Sequence, residues 1–398
     1  MKDCTQIVFL LLGFLALSSC RDANKAKSFE QMADRIKAHY VEDSRVDRLE
    51  LRHVSTLNGL LVEGYTTIPE AFDSLQKVLS DGGFVVQKNN FRLLPDAELL
   101  EGKTTGIINV SVANLRSKPG HSQELATQAL LGTPIQVLDF QDGWYLVRTP
   151  DRYLAWLEPG AFVGMKLKES KAWFGDNLRM YVGPAGVMKS DGEEIITDLV
   201  SGNLVEYTDD EREADKMVRV RLPDGSPGLV EGKYLVLPVM YGKTLQAEAL
   251  LGMAYANTGR PYLWGGTSPK AMDCSGFTKT AFYESGYVIP RDASQQVQAG
   301  EEIELTSDFR NLEPGDLLFF GRYRQDESEK ITHVGFYLGE GRFLHSGADN
   351  GRIKEQSLRP EDEDFAEHRL KSLLRARRLS PGTKGVVPLG EAFGDLLR

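Results

Sequence analysis

The sequence predicts a multidomain protein of the α+β class, and three observations lead to this prediction. The chain has 398 residues, enough for about two or three domains of roughly 150 residues each. Hydrophobic residues make up 41% and charged residues 26% of the chain, a composition that excludes disordered and collagen-like proteins. Short strand patterns fill the middle of the chain, whereas helical and alternating patterns follow one another in its C-terminal part.

The charge and the cysteine content exclude two further classes of protein. Lys and Arg number 47 and Asp and Glu 57, so the net charge of −10 gives no long-range attraction to phosphates. We therefore expect no nucleic-acid partner. The three cysteines, Cys4, Cys20 and Cys274, are too few and too scattered for a disulfide framework or a zinc ribbon. Neither a cofactor nor a metal is expected.

Residues 1–20 are predicted to be a lipoprotein signal peptide. The apolar run at 7–17 would span only about 17 Å as a helix, which is short for a bilayer core. Residues 17–20, Leu-Ser-Ser-Cys, resemble a bacterial lipobox, in which Cys20 becomes the lipidated first residue. We expect an exported protein, lipid-anchored to the bacterial cell envelope at the periplasmic face of the outer membrane. A plain signal peptide is the alternative.

Residues 21–100 are predicted to form a small α+β unit. Two strand patterns flank Asn58-Gly59, a dipeptide typical of hairpin turns. Pro69 opens a helical pattern, and a further strand begins at Phe84. Because the unit has no constellation of catalytic residue types, we interpret it as structural.

The middle of the chain is predicted to hold two small β-barrels. In residues 101–165, short strand patterns alternate with Gly, Pro and Asp turns, which is typical of a barrel of about 60 residues. The segments at 114–119, 143–147 and 153–156 resemble the bacterial SH3 domain of cell-wall proteins. Residues 166–240 repeat this outline more loosely, and we interpret them as a second, diverged copy.

Residues 241–380 are predicted to form the last domain, followed by a C-terminal tail at 381–398. The domain opens with a helical pattern whose apolar residues are spaced along one stripe: Leu245, Ala249, Met253 and Ala256.

Cys274 is the candidate nucleophile of this domain. It stands at the start of a helical pattern that Gly286 would end. At such a position the amide dipoles favour a thiolate and lower the pKa of the thiol. A lone cysteine is more commonly a small buried hydrophobe, but the polar neighbours Asp273 and Ser275 do not suit an inert core position.

Two histidines could serve this nucleophile. His333 lies in an alternating strand pattern, and His345 lies in the strand that returns after a glycine-rich turn. If the hairpin is centred on Glu340, the two rings are diagonal neighbours on one face, whereas a slip of one residue would separate them. In a Cys-His-His triad, Cys274 attacks, His333 accepts the proton and His345 orients the His333 ring. A zinc site and two structural histidines are the alternatives.

Six segments of the domain together resemble the NlpC-type murein cysteine peptidases, which have a papain-like fold. They are residues 260–266, 273–277, 290–292, 314–317, 333–337 and 345–346, and the resemblance covers about 130 residues. The two SH3-like domains upstream are similar to those of the γ-D-glutamyl-L-diamino acid endopeptidases of this family.

This resemblance implies roles for ten residues. Cys274, His333 and His345 fall on the catalytic positions. The implied substrate-binding residues are Tyr262 beside the nucleophile, Asp273 and Ser275 in the amine pocket, Arg291 and Asp292 near the D-glutamyl group, and Glu124 and Tyr153 from the first SH3-like domain. Ala293 stands where relatives often carry serine, which leaves one hydrogen bond to the substrate in question.

The implied activity is hydrolysis of the γ-D-glutamyl–diamino acid bond in murein stem peptides, with a preference for a free N-terminal L-Ala. Two alternatives remain open. The chain could be a non-catalytic peptidoglycan-binding lipoprotein, or an amidase or acyltransferase that uses the same triad.

Overall fold

The computed structural model of the protein describes residues 27–56, 58–209 and 216–398. The predicted signal peptide and the lipidation site Cys20 lie outside these ranges. Within them, no helix is both long and apolar enough to cross a membrane. The chain divides after Leu99 into two units, which are described in turn.

The N-terminal unit is a three-stranded sheet with two helices. Its elements are α1 (residues 27–40), β1 (Leu49–Thr56), β2 (Gly59–Thr66), α2 (Pro69–Asp81) and β3 (Val86–Leu93). The strand order is β1-β2-β3. The predicted hairpin and the helix that opens at Pro69 are confirmed. Strand β3 begins later than predicted and runs on through polar residues, because its parallel pairing with β2 satisfies its backbone groups.

The first SH3-like domain is a seven-stranded sheet. Its strands are β4 (Thr105–Ile108), β5 (Val112–Arg116), β6 (Leu125–Leu130), β7 (Pro134–Gln141), β8 (Trp144–Arg148), β9 (Leu154–Leu157) and β10 (Phe162–Met165), in the order β10-β4-β7-β8-β9-β5-β6. No pairing among the described residues joins β10 to β6, so the closed barrel that the sequence predicted is not found. Strand β6 lies instead against the C-terminal domain, where the backbone N–H of Gln128 donates to Thr267 Oγ1 at 2.9 Å.

Residues 166–240, predicted to be a second, diverged SH3-like domain, also form a seven-stranded sheet with open pairing among the described residues. Helix α3 (Leu167–Trp173) leads into it. Its strands are β11 (Leu178–Tyr181), β12 (Gly186–Lys189), β13 (Ile195–Leu199), β14 (Leu204–Tyr207), β15 (Met217–Arg221), β16 (Pro227–Glu231) and β17 (Leu235–Val236), in the order β13-β12-β16-β15-β14-β11-β17.

The C-terminal domain packs helices against a six-stranded antiparallel sheet. The helices are α4 (Ala247–Tyr255), α5 (Cys274–Glu284), α6 (Ala293–Gln296), α7 (Glu367–Ser372) and α8 (Leu389–Leu396). The strands are β18 (Thr267–Ser268), β19 (Ala271–Met272), β20 (Tyr287–Val288), β21 (Glu301–Ile303), β22 (Leu317–Tyr323), β23 (Glu329–Gly339), β24 (Arg342–Gly347), β25 (Arg352–Ser357), β26 (Leu373–Arg378) and β27 (Val387–Pro388). The main sheet has the order β21-β26-β22-β23-β24-β25.

Helix α5 packs across β23 and so fixes the centre of the domain. The ring of Phe277 on α5 meets the ring of Phe336 on β23 edge to face, with centroids 5.5 Å apart. Both side chains are fully buried. This contact holds the first residue of α5 beside β23.

Two predictions about this domain differ from the structure. In α4 the buried residues are Leu250 and Ala254. Of the predicted stripe, Leu245 and Met253 pack against the core, whereas Ala249 and Ala256 are exposed, so the stripe was only half right. The predicted tail contains α8, whose Leu389 and Phe393 are buried in a cluster with residues of the second SH3-like domain. The apolar face of α8 is covered from a distant part of the chain, which the sequence pattern alone did not reveal.

Candidate active site

Cys274 is the first residue of α5, as the sequence predicts. Asp273 caps this helix, since its Oδ1 accepts the Gly276 amide at 2.7 Å. Position 276 has no room for a side chain. A Cβ atom there would lie 2.0 Å from the Gly266 carbonyl oxygen, so only glycine allows the loop to approach the helix. The capped helix thus holds the partly exposed thiol at its tip.

The two histidines lie on one face of the β23–β24 hairpin. Phe336 pairs with Leu344, which is the register centred on Glu340 that the sequence predicts. His333 Nε2 and His345 Nδ1 are 2.8 Å apart, and both rings are buried. The backbone of Val334 makes a hydrogen bond to the Cys274 sulfur, so the nucleophile lies against the strand that carries His333. The structure therefore bonds the two predicted histidines to each other and places Cys274 against the strand that carries His333.

Burial decides the resting charge of the triad. It raises the pKa of the Cys274 thiol to about 12, and the negative charge of Asp273 adds to this increase. It also lowers the pKa of His333 well below 6.5 and that of His345 to about 4. The expectation that the helix dipole lowers the pKa of the thiol was wrong, because the cost of desolvating a thiolate is the larger effect. The resting site holds a neutral thiol and neutral imidazoles.

The phenol of Tyr262 lies beside the Cys274 sulfur and is neutral. Burial, and then the neighbouring Cys274, raise the pKa of Tyr262 to about 12, so its phenol keeps its proton. Among the described residues, no group of three or more His, Cys, Asp or Glu side chains is arranged to hold a metal ion.

Arg291 is the centre of a buried ion pair beside the nucleophile. The side chain is 1% exposed and donates to both oxygens of Asp273, at 3.1 and 2.6 Å. It also donates to Ser275 Oγ at 3.0 Å and to Thr127 Oγ1 of β6 at 3.1 Å. The resemblance implied that Arg291 contacts the substrate. In the structure these bonds anchor Asp273 and the start of α5. A contact between Arg291 and the substrate stays a prediction.

Two residues of the first SH3-like domain reach the C-terminal domain. The Tyr153 hydroxyl donates to Asp292 Oδ2 at 3.3 Å, and Glu124 Oε1 accepts the Trp264 indole N–H at 2.6 Å. Both residues therefore lie at the border of the two domains, and their binding of substrate stays a prediction. Ala293 is buried as the first residue of α6, directly after Asp292.

Three residues at this site were not identified from the sequence. Gln356 on β25 bonds His345, Thr127 bonds Arg291, and Trp264, which is 64% exposed, bonds Glu124. Trp264 stands inside the segment 260–266 and could have been found there. The other two lie in strands with no local signal.

A helix that begins with a cysteine and packs on a sheet carrying two bonded histidines defines a cysteine peptidase. Residues 259–372 match the NlpC/P60 family, and residues 115–161 match the bacterial dipeptidyl-peptidase Sh3 domain. The C-terminal domain is therefore similar to the NlpC/P60 family, and the first SH3-like domain is similar to the bacterial dipeptidyl-peptidase Sh3 domain.

Known proteins share different parts of this organisation. A gamma-D-glutamyl-L-lysine dipeptidyl-peptidase of Bacillus subtilis is 48% identical over 100 residues, which is 25% of this chain and 32% of that protein. This chain therefore aligns with about a third of that relative. Dipeptidyl-peptidase 6 of Lysinibacillus sphaericus is 27% identical over 63% of this chain and 91% of its own length. The crystal structure of an NlpC/P60 family protein from Bacillus cereus covers 70% of this chain and all of its own, with a TM-score of 0.59 and 22% identity, which shows the shared fold.

Proposed function

We propose that this protein hydrolyses the γ-D-glutamyl–diamino acid bond of peptidoglycan stem peptides. The observation that carries the proposal is the Cys274–His333–His345 arrangement, with its 2.8 Å bond between the two buried rings. The relatives named for dipeptidyl-peptidase activity support the substrate class. A complete triad also favours catalysis over a purely wall-binding role.

The reaction is a two-step acyl transfer. His333 takes the proton of the Cys274 thiol as the sulfur attacks the γ-carbonyl carbon, and the Cys274 backbone N–H donates to the oxyanion. His333 then gives this proton to the departing diamino acid amine. Water attacks the thioester, and the released sulfur regains its proton through His333. Because the thiol is neutral at rest, proton transfer to His333 belongs to the attack itself.

The same proposal includes a preference for peptides with a free N-terminal L-Ala. Asp273 is already neutralised by Arg291, so it offers little to an ammonium group. Two further carboxylates lie nearby: that of Glu124 accepts the Trp264 indole N–H, and that of Asp292 accepts from Tyr153 and lies 3.9 Å from Arg291 Nη1. Both lie at the border of the first SH3-like domain and the C-terminal domain. An ammonium group bound there gains a charge-assisted hydrogen bond that an acylated amine cannot form.

Mass spectrometry of two peptides tests the activity and the preference separately. The purified protein is incubated with L-Ala-γ-D-Glu-diamino acid peptide, either with a free amine or acylated at L-Ala. Cleavage of the free peptide alone is expected, and Cys274→Ala should abolish it. Equal cleavage of the acylated peptide would refute the preference. Cleavage that survives Cys274→Ala would refute the mechanism.

We also propose that the protein is exported and lipid-anchored through Cys20. The support is the Leu-Ser-Ser-Cys sequence at 17–20. Metabolic labelling with a fatty acid should mark the wild-type protein and leave Cys20→Ser unlabelled. Equal labelling of both would refute the anchor.

A further inference from the structure

We propose that Gln356 is a positioning residue that selects the tautomer of His345 and thereby leaves His333 able to act as a base. The inference rests on the proposed function, since it concerns the same triad. Its starting observation is a 2.8 Å contact between Gln356 Oε1 and His345 Nε2.

Strand pairing places this side chain beside the second histidine. Gln356 pairs with Phe343, and His345 pairs with Lys354, so Gln356 is the diagonal neighbour of His345 on one face of the sheet. The stacked ring of Phe343 lies 4.7 Å from that of His345 and so sets the plane of the imidazole. His345 Nε2 therefore points to Gln356, while its Nδ1 points to His333.

The hydrogen bonds fix where each proton lies. A carbonyl oxygen can only accept, so His345 Nε2 carries a proton and donates it to Gln356. A neutral ring then has an unprotonated Nδ1, which accepts from His333 Nε2. The remaining nitrogen of the neutral His333 ring, Nδ1, keeps its lone pair. This is the nitrogen that can accept the thiol proton.

Asn350 holds the Gln356 side-chain amide in the orientation that this series of hydrogen bonds requires. Its Nδ2 donates to Gln356 Oε1 at 2.9 Å, and its contact with His345 Nε2 is longer, at 3.3 Å. Turning the amide around would bring its NH2 group against that of Asn350 and would make it donate to His345. His345 Nδ1 would then carry the proton, and His333 would have to accept at Nε2. His333 Nδ1 would be protonated and unable to accept from Cys274.

The charges around His345 agree with a neutral ring at working pH. Burial, Arg369 and His368 lower the pKa of His345, whereas the hydrogen bond to Gln356 and the charge of Asp349 raise it, and burial is the largest effect. Asp349 itself contacts both Arg369 and His368, which weakens its effect on the ring. The hydrogen bond of Gln356 thus acts on a ring that stays neutral, as tautomer selection requires.

Three variants test this role in the full-length protein. Gln356→Met removes the acceptor with little change in size. Gln356→Glu keeps an acceptor, and Gln298→Met makes the same chemical change at an exposed position. For each, kcat and KM are measured on the free-amine peptide. The rate of Cys274 alkylation by iodoacetamide is measured against pH, and thermal unfolding confirms folding.

Gln356→Met should lower kcat about 10- to 100-fold, as removal of an outer partner of a functional histidine commonly does, with KM unchanged within about twofold. It should also slow alkylation at neutral pH. Gln356→Glu should retain most of kcat, and the acidic limb of its pH profile should move to higher pH, because the carboxylate stabilises protonated His345. Gln298→Met should match the wild type.

Two outcomes would overturn the proposal. One is a Gln356→Met protein with wild-type kcat and alkylation. The other is a Gln356→Glu protein that is as inactive as Gln356→Met, or whose acidic limb does not move. The alkylation measurement needs no peptide, so it tests the role of Gln356 even if the wild type does not cleave the peptide. Failure of the wild type to cleave the peptide would refute only the proposed function.

Discussion

Replacing Arg291 with methionine should destabilise the protein strongly, because it leaves the carboxylate of Asp273 buried without its partner. Arg291 bonds both oxygens of Asp273 and also Ser275 and Thr127, and it is 1% exposed. Methionine fills much of the same space but donates no hydrogen bond. The variant therefore isolates the loss of charge and hydrogen bonding.

The size of the effect follows from burial. Removing one partner of a buried ion pair costs about 3–5 kcal/mol, since the remaining charge is desolvated and uncompensated. A large domain loses about 2 °C of melting temperature per kcal/mol, so the midpoint should fall by about 6–10 °C. The double variant Arg291→Met, Asp273→Asn leaves no buried charge. It should recover part of the loss, because the effects of contacting residues are not additive.

Differential scanning calorimetry of the full-length protein measures this prediction. Arg322→Met, at an exposed position of β22, is the matched control and should shift the midpoint by no more than about 1 °C. An Arg291→Met shift as small as that of the control would refute the argument. So would a double variant that is less stable than the single one.

Two other predictions follow from the site. Because burial raises the pKa of Cys274 to about 12, alkylation by iodoacetamide should rise with pH from 7 to 9 as the thiolate fraction grows, and a plateau there would show a thiolate at rest. Tyr153→Phe removes the 3.3 Å bond to Asp292, worth about 1 kcal/mol, so KM for the free-amine peptide should rise about fivefold with kcat unchanged. Equal kinetics for this variant and the wild type would exclude a role of the hydroxyl in substrate binding.

Local patterns in the sequence predicted the elements that carry the triad. Alternation from 332 to 338 and the turn at Glu340 defined the register of the hairpin, and that register places His333 and His345 on one face. The helical pattern that begins at Cys274 and that Gly286 would end predicted α5. These features depend on neighbours within a few residues, which is why the sequence alone was sufficient for them.

Packing between distant segments decided the rest. Thr127 and Arg291 are 164 residues apart in the chain, and no local pattern relates them. The pKa of Cys274 depends on how much water the surrounding elements exclude, so the helix dipole alone gave the wrong direction. The sequence thus determined that a cysteine begins α5 and that the two histidines share one face of the β23–β24 hairpin. Only the tertiary structure decided their charge, their partners and which of them remain free for a substrate, because desolvation and long-range hydrogen bonds exist only once the domains have packed.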